Sequence, residues 1–276
     1  MIICFSGTGN SLMVARELQG VIGGEIIELS GERLRNPAAE VLEVPDRTPQ
    51  TLPEIAPGLK VPEKEDVVWV FPIYAWSVPP VVANFIRRCR MKGAHQARHF
   101  LLCTCGDDIG RADDVWRNLV GRRGWLPRSV FSVEMPNVYV CLKGFDVDPA
   151  EVEARKLAAM PARVREFVAK MRTAPAESWV VRGSWPWSKT HIVFPIFRGF
   201  LMSPEPFRAS DACITCGLCA RECPMDNIEM RDGRPAWGKN CAMCLRCYHR
   251  CPVQAISYEA ATDGKGHYAC PGLKND

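Results

Sequence analysis

Residues 2–5 form a short uninterrupted apolar run, after which Leu12, Ala15 and Leu18 recur at helical spacing. The order is strand, loop, helix. Further strands are predicted at residues 25–29, 67–71, 99–103 and 129–133. Helical patterns lie between most of them: Val82, Phe85, Ile86 and Cys89, then Val115 and Leu119. Five strands alternating with helices imply an α/β fold with a doubly wound five-stranded parallel sheet. Met160, Val164, Phe167 and Met171 follow at spacings of four, three and four, which predicts the last helix of this unit, kinked at Pro161. The first domain is drawn as residues 1–173.

Residues 174–207 lose that periodicity and gather aromatics: Trp179, Trp185, Trp187, Phe194, Phe197, Phe200 and Phe207, with Arg182, Lys189 and Arg198 among them. Two readings stand. The stretch contacts a partner, a membrane surface or a substrate, or it is a connector that packs its aromatics between two domains. Residues 208–276 form the second domain, a small α+β unit.

Composition narrows the classes. A 47% hydrophobic content supports a packed core, and a net charge of +4 gives no case for nucleic acid. No run of 18 apolar residues occurs, so no membrane-spanning helix is expected. Met1 is followed within five residues by a loop motif, which predicts no signal peptide and a cytoplasmic chain. Fourteen cysteines are then read as reduced or metal-bound.

The loop is Ser6-Gly7-Thr8-Gly9-Asn10-Ser11, set between strand and helix. Amide N–H groups in such a loop converge on an anion, and the helix N-terminus adds a favourable dipole. Gly7 and Gly9 let the backbone approach closely, while the Ser6, Thr8 and Ser11 hydroxyls can donate to phosphate oxygens. No Walker lysine is present, which disfavours triphosphate hydrolysis, and no G-x-G-x-x-G dinucleotide fingerprint is present.

Cys213, Cys216, Cys219 and Cys223 precede Pro224; Cys241, Cys244, Cys247 and Cys251 precede Pro252. Both runs read C-x2-C-x2-C-x3-C-P and repeat after 28 residues (Cys213 to Cys241), as do Ile228 and Ile256. This is the two-cluster bacterial ferredoxin spacing, in which the fourth cysteine of each run ligates the other cluster. Cluster one is therefore assigned Cys213, Cys216, Cys219 and Cys251; cluster two, Cys241, Cys244, Cys247 and Cys223. A single C-x2-C pair would favour zinc, but two complete runs do not. Bridged loops would not pack thiols so densely. Cys4, Cys89 and Cys103 occupy apolar positions and read as core. None of the five histidines forms a metal-ligand pair.

The N-terminal loop resembles the flavodoxin pattern [ST]-x-T-G-x-[ST], which holds the phosphate of FMN. With both cysteine runs, Pro72-Ile73-Tyr74-Ala75-Trp76-Ser77, Met135-Pro136-Asn137 and Tyr268-Ala269-Cys270-Pro271, the whole chain resembles the flavodoxin–ferredoxin fusion proteins of anaerobes. The resemblance implies an FMN-binding flavodoxin-like domain wired to two [4Fe-4S] clusters. Flavin contacts are expected from loops at two strand ends. Pro72, Ile73, Tyr74, Ala75 and Trp76 form the first, where Tyr74 or Trp76 stacks on the ring or packs on the neighbouring domain. Thr104, Cys105, Gly106 and Asp107 form the second, at the pyrimidine edge, with Asp107 and Asp108 alternatively an N-cap of the next helix. A catalytic thiol at Cys105 is a further reading. Three functions follow: an oxidoreductase passing single electrons from clusters to FMN and on to a small molecule or a partner's cofactor, an electron-transfer adaptor serving a redox partner protein, or a module whose clusters staple the fold.

Overall fold

The computed structural model describes residues 1–47, 64–173 and 176–273. In chain order β1 (Ile2–Cys4), α1 (Asn10–Ile22), β2 (Ile26–Glu28), α2 (Glu32–Arg35), β3 (Val41–Glu43), β4 (Val67–Pro72) and α3 (Pro80–Arg88) come first. They are followed by β5 (Arg90–Lys92), β6 (Arg98–Cys105), α4 (Ala112–Gly121), β7 (Leu126–Glu134), α5 (Ala150–Thr173) and β8 (Ser178–Trp179). One sheet has the order β2-β1-β4-β6-β7-β8, every neighbouring pair parallel. β3 and β5 form a separate parallel pair.

The side-chain alternation along the strands explains the layers. Ile3, Phe5, Val67, Trp69, Phe71, Leu101 and Cys103 face one way, onto Val82, Phe85, Ile86, Trp116 and Leu119 of α3 and α4. Ile2, Cys4, Val68, Val70, Phe100, Leu102, Phe131 and Val133 face the other, onto Leu12, Ala15 and Leu18 of α1 and Val164, Phe167 and Met171 of α5. A parallel sheet covered on both faces favours near-continuous apolar runs, as residues 67–71 of β4 and 100–103 of β6 show. α5 continues through Pro161. Cys4, Cys89 and Cys103 are buried core residues.

The sheet has six strands rather than the five the sequence predicts. The sixth, β8, pairs Ser178 and Trp179 with Val130 and Phe131. Two residues carry no readable alternation. Trp179 is fixed instead by the Phe131 ring, 5.5 Å away, and by Lys170 Nζ, 5.3 Å from its ring. Of the aromatic stretch, residues 174–175 lie outside the described residues. Beyond β8, α6 (Pro186–Ser188), a π-helical turn (Lys189–Val193) and α7 (Phe194–Phe200) run on without interruption. Its aromatics divide: Phe197 is buried, while Trp185 and Phe200 are 79% and 81% exposed.

The second unit is built on the 28-residue repeat. It contains β9 (Phe207–Ala209), α8 (Leu218–Arg221), β10 (Ile228–Arg231), β11 (Arg234–Trp237), α9 (Arg246–His249) and β12 (Ile256–Tyr258). β9 pairs antiparallel with β12, and β10 with β11 across an Asp232-Gly233 turn whose two residues both have positive φ. The backbone repeats with the sequence: left-handed residues fall at Thr215 and Met243, Gly217 and Leu245, Asp226 and Gln254. α8 and α9 stand at equivalent places, and Ile228 and Ile256 are both buried. No helix among the described residues is long and apolar enough to cross a membrane.

His99 of β6 is fully buried between aromatic rings, with Trp125 stacked at 5.0 Å. Trp69 Nε1–H donates to its Nδ1 and its Nε2–H donates to Ala94 O, at 3.2 and 2.9 Å, which requires the neutral ring. Burial lowers its pKa from 6.5 to about 4. The unfolded chain therefore takes up a proton that the folded one refuses, so stability falls as pH drops from 6.5 towards 4. Urea unfolding across that window should lose about 1.4 kcal/mol per pH unit from this group. His99→Phe keeps the stack, lowers stability at pH 7 and removes one proton from the slope; an unchanged slope would contradict this account.

Candidate functional site

A cleft of about 460 Å³ opens at the carboxyl ends of the strands, where β1 and β4 adjoin and the sheet order reverses. It is lined by Ser6, Gly7, Thr8, Asn10 and Ser11 after β1, and by Pro72, Ile73, Tyr74, Ala75 and Trp76 after β4. Thr104, Cys105, Gly106 and Asp107 line it at the end of β6, and Met135, Pro136 and Asn137 after β7. Of the residues predicted for the cofactor, only Gly9 lies elsewhere. Its φ of 107° turns it toward the C-terminal tail, where a Cβ would sit 2.6 Å from Leu273 Cδ1 and 2.7 Å from Cys270 Cβ.

The loop before α1 has the electrostatics of an anion site. α1 begins with no side-chain cap and no acidic residue in its first turn. Gly9 N–H donates to Ser6 Oγ at 3.2 Å, but among the described residues the N–H groups of Gly7, Thr8 and Ser11 meet no acceptor. Arg246 of α9 gives these amides their direction. Its guanidinium donates to Gly7 O at 2.5 Å and to Ser6 O at 2.9 Å. Carbonyl and N–H point opposite ways across a trans peptide, so the N–H groups of Gly7 and Thr8 are aimed away from Arg246. Ser11 Oγ bonds Thr104 Oγ1 at 2.7 Å, joining this loop to the end of β6. Asn10 Nδ2–H donates to Pro136 O at 3.0 Å and Asn10 Oδ1 accepts from Tyr268 O–H at 2.6 Å, so Asn10 braces the loop.

Tyr74 and Ser77 exchange two backbone hydrogen bonds of 3.0 Å around Ala75 and Trp76, whose φ values are 41° and 64°. Two consecutive non-glycine residues in the left-handed region store strain, typically of order 1–3 kcal/mol each. Thr190 O–H donates to Trp76 O at 2.7 Å, and Lys189 Nζ stands 5.0 Å from the Trp76 ring while bonding Asp108 at 2.7 Å. The aromatic stretch thus holds the turn. Opposite, Asp148 accepts from Asn137 N, Asn137 Nδ2 and Lys156 Nζ at 3.0, 3.1 and 2.7 Å. A Cβ on Gly106 would collide with Asn137 Oδ1 at 1.6 Å, so only glycine fits there. Neither Asp107 nor Asp108 caps α4, which starts at Ala112 without a side-chain cap; Asp108 Oδ1 accepts instead from Gly110 N. Burial and neighbouring carboxylates raise the Cys105 thiol far above its ordinary value, which disfavours its thiolate at neutral pH.

The cysteines are placed in two groups. Cys223, Cys241, Cys244 and Cys247 line one small cavity of about 20 Å³ with Phe207, Ile228 and Trp237. The donor set is the assigned ligand set of cluster two, three thiols from one run and the fourth from the other. Trp237 Nε1 is buried there without a hydrogen-bond partner. Burial raises the Cys247 thiol well above its usual pKa, Cys244 adds to this, and the Trp237 indole opposes it. Backbone amides aim at the fourth cysteines of both runs, Asn227 N at Cys223 Sγ (3.4 Å) and Ala255 N at Cys251 Sγ (3.2 Å). Cys213, Cys216 and Cys219 lie near one another at a more open site, with Cys216 exposed. Among the described residues no three such side chains are close enough to share one metal ion. Soft thiolates in this number suit iron–sulfur cubanes, whose corners spread their ligands more widely than one ion does.

Cleft and cysteine cavity share a wall. Met243, Cys244 and Leu245 line the cleft, and Cys244 also lines the cavity. A Cβ on Gly7 would sit 2.8 Å from both Cys244 Cβ and Cys244 O. Met225 and Ala242 enter the sheet's own core. Val193, Ile196, Phe197 and Leu201 of the aromatic stretch close another side. The sequence reading missed Arg246, Trp237, the Met243–Leu245 wall and these apolar residues. Arg246 and Trp237 differ from their repeat mates Leu218 and Ala209, which is the one available signal.

Residues 202–256 match the family model of the 4Fe-4S dicluster domain. An uncharacterised polyferredoxin-like protein of Methanocaldococcus jannaschii is 36% identical over 63 residues, which is 22% of this chain. The match spans 28% of that relative's length. Among solved structures, the Trp repressor binding protein of Bacillus subtilis aligns over 60% of this chain and 96% of its own, with 11% identity and a TM-score of 0.35. The C-terminal unit therefore carries an iron–sulfur dicluster region, and the chain has the capacity for iron–sulfur electron transfer.

Proposed function

We propose that this protein is a flavo-iron–sulfur oxidoreductase in which FMN occupies the cleft and exchanges single electrons with the two clusters. One observation carries the reading: the loop of unpaired amides and the loop bearing Cys244 line the same cleft. The strand order supports it, because without β3, β5 and β8 it reads 2-1-3-4-5, the flavodoxin-like order with its ligand at the β1 crevice. Bound FMN would supply one- or two-electron chemistry against the one-electron chemistry of the clusters.

The residues have separable tasks. Gly7, Thr8 and Ser11 would hold the phosphate, and Arg246 keeps the Gly7 and Thr8 amides turned toward it. The Tyr74–Ser77 turn, pinned by Lys189 and Thr190, would set the ring's position, with Asn137 and Gly106 at its polar edge. Val193, Ile196 and Phe197 line the apolar side. Reduction of a small molecule or of a partner's cofactor is then the outward reaction.

An adaptor without its own substrate is the second reading. Burial raises the pKa of Tyr74, Cys105 and Tyr139, all in the cleft wall, so these groups are poorly placed to exchange protons near neutral pH. Reduced protein reoxidised by a redox partner protein and by no small molecule would select this reading.

Anaerobic purification with flavin, iron and sulfide quantitation should give one FMN and two cubanes per chain; protein with clusters that neither contains nor binds FMN would overturn the flavin assignment. The phosphate loop is tested apart. Thr8→Val removes one hydroxyl at constant shape and should weaken FMN binding by at least tenfold, since a hydrogen bond to a charged group contributes about 1.5–3 kcal/mol. Riboflavin, which lacks the phosphate, should bind both forms equally in the same fluorescence titration.

A further inference from the structure

The two cysteine runs lie in equivalent loops, so differences around them are informative. β9 ends on Ala209, four residues before Cys213; β11 ends on Trp237, four residues before Cys241. The equivalent position thus bears a methyl group at the first run and an indole at the second. Phe207 stacks on that indole at 5.5 Å with 16° between ring planes, which fixes its orientation. Its N–H is buried and unpartnered in the cavity of Cys223, Cys241, Cys244 and Cys247. A buried indole N–H left unpaired costs about 1–3 kcal/mol. An apolar residue would be the cheaper occupant unless an acceptor arrives. Four of the residues lining the cavity, Cys223, Cys241, Cys244 and Cys247, present sulfur.

We propose that Trp237 Nε1–H donates to a sulfur of cluster two when that cluster is assembled, and that this bond keeps the reduction potential of cluster two above what its burial alone would set. Burial penalises the added negative charge of a reduced cluster, whereas hydrogen bonds to its sulfurs stabilise that charge. Cluster one has the opposite balance, being solvent-exposed at Cys216 with Ala209 in place of the indole. Trp237 thus offsets the cost of placing the second cluster in the wall of the cleft.

The inference rests on the ligand set of cluster two and not on the flavin. The experiment is an anaerobic redox titration followed by electron paramagnetic resonance, on the full chain, with FMN present or stripped. Trp237→Phe should lower one of the two cluster potentials and leave the other unchanged. Replacement of Trp237 by β-(3-benzothienyl)alanine, which keeps the ring shape and the stack on Phe207 but has no N–H, should do the same. Electron–nuclear double resonance should show an exchangeable proton coupled to one cluster in the parent protein and absent from the benzothienyl variant. Unchanged potentials in that variant, or an equal shift of both, would overturn the proposal. A parent protein holding fewer than two cubanes would overturn the ligand set and this proposal with it, whereas absence of FMN would leave the titration intact.

Discussion

The organisation of the molecule depends on one close approach, the backbone of Gly7 against Cys244. There is no room for a Cβ between them. A loop that would bind an anion and a loop that would bind a cluster are thereby pressed back to back. Arg246 locks the contact by taking the carbonyls of Ser6 and Gly7. Since the peptide plane is rigid, occupying its carbonyl edge on one side presents its N–H edge on the other. The cation of the cysteine-rich unit thus sets the direction of the Gly7 and Thr8 amides of the sheet unit.

Other contacts make that approach durable. Gly31 N donates to Pro224 O at 2.8 Å, Arg35 pairs with Asp226, and Met225 and Ala242 pack among sheet residues. The tail adds a strap. Tyr268 reaches Asn10 with its hydroxyl, and its amide donates to Nδ1 of His249 at 3.1 Å. The other nitrogen of His249 bonds Val138 O at 2.8 Å, and burial holds the ring neutral with a pKa of about 4. The links from Tyr268 and His249 end on Asn10 and Val138, both in the cleft lining, so the cleft is a property of both units.

What could be read in the sequence was whatever is local or periodic. The apolar runs of β4 and β6, the spacing in α1 and the duplicated cysteine run each lie within about forty residues, and each reappears where expected. The cleft loops could be placed because they follow strands of predicted direction. Non-local features were hidden. β8 is two residues long and exists because β7 offers a free edge. The left-handed turn at Ala75 and Trp76 has no glycine to announce it, and Lys189 and Thr190, more than a hundred residues away, hold it. The aromatic stretch suggested two exclusive roles and has both characters. Phe197 is buried against the cleft, while Trp185 and Phe200 face outward.

The internal repeat carries a further lesson about how duplicated sites diverge. The loop geometry is nearly the same twice, down to the left-handed residues and the amides aimed at Cys223 and Cys251. A loop fixes how thiolates are presented; it does not fix the dielectric or the hydrogen bonds around them. Those come from neighbours outside the repeat: open solvent at Cys216, and the sheet domain at Cys244. Where the first half has Leu218 and Ala209, the second has Arg246 and Trp237. Both changes bring a polar N–H donor to a place that burial would otherwise leave short of one. Docking the second half against another domain made these donors useful, and the same docking keeps water from taking their place.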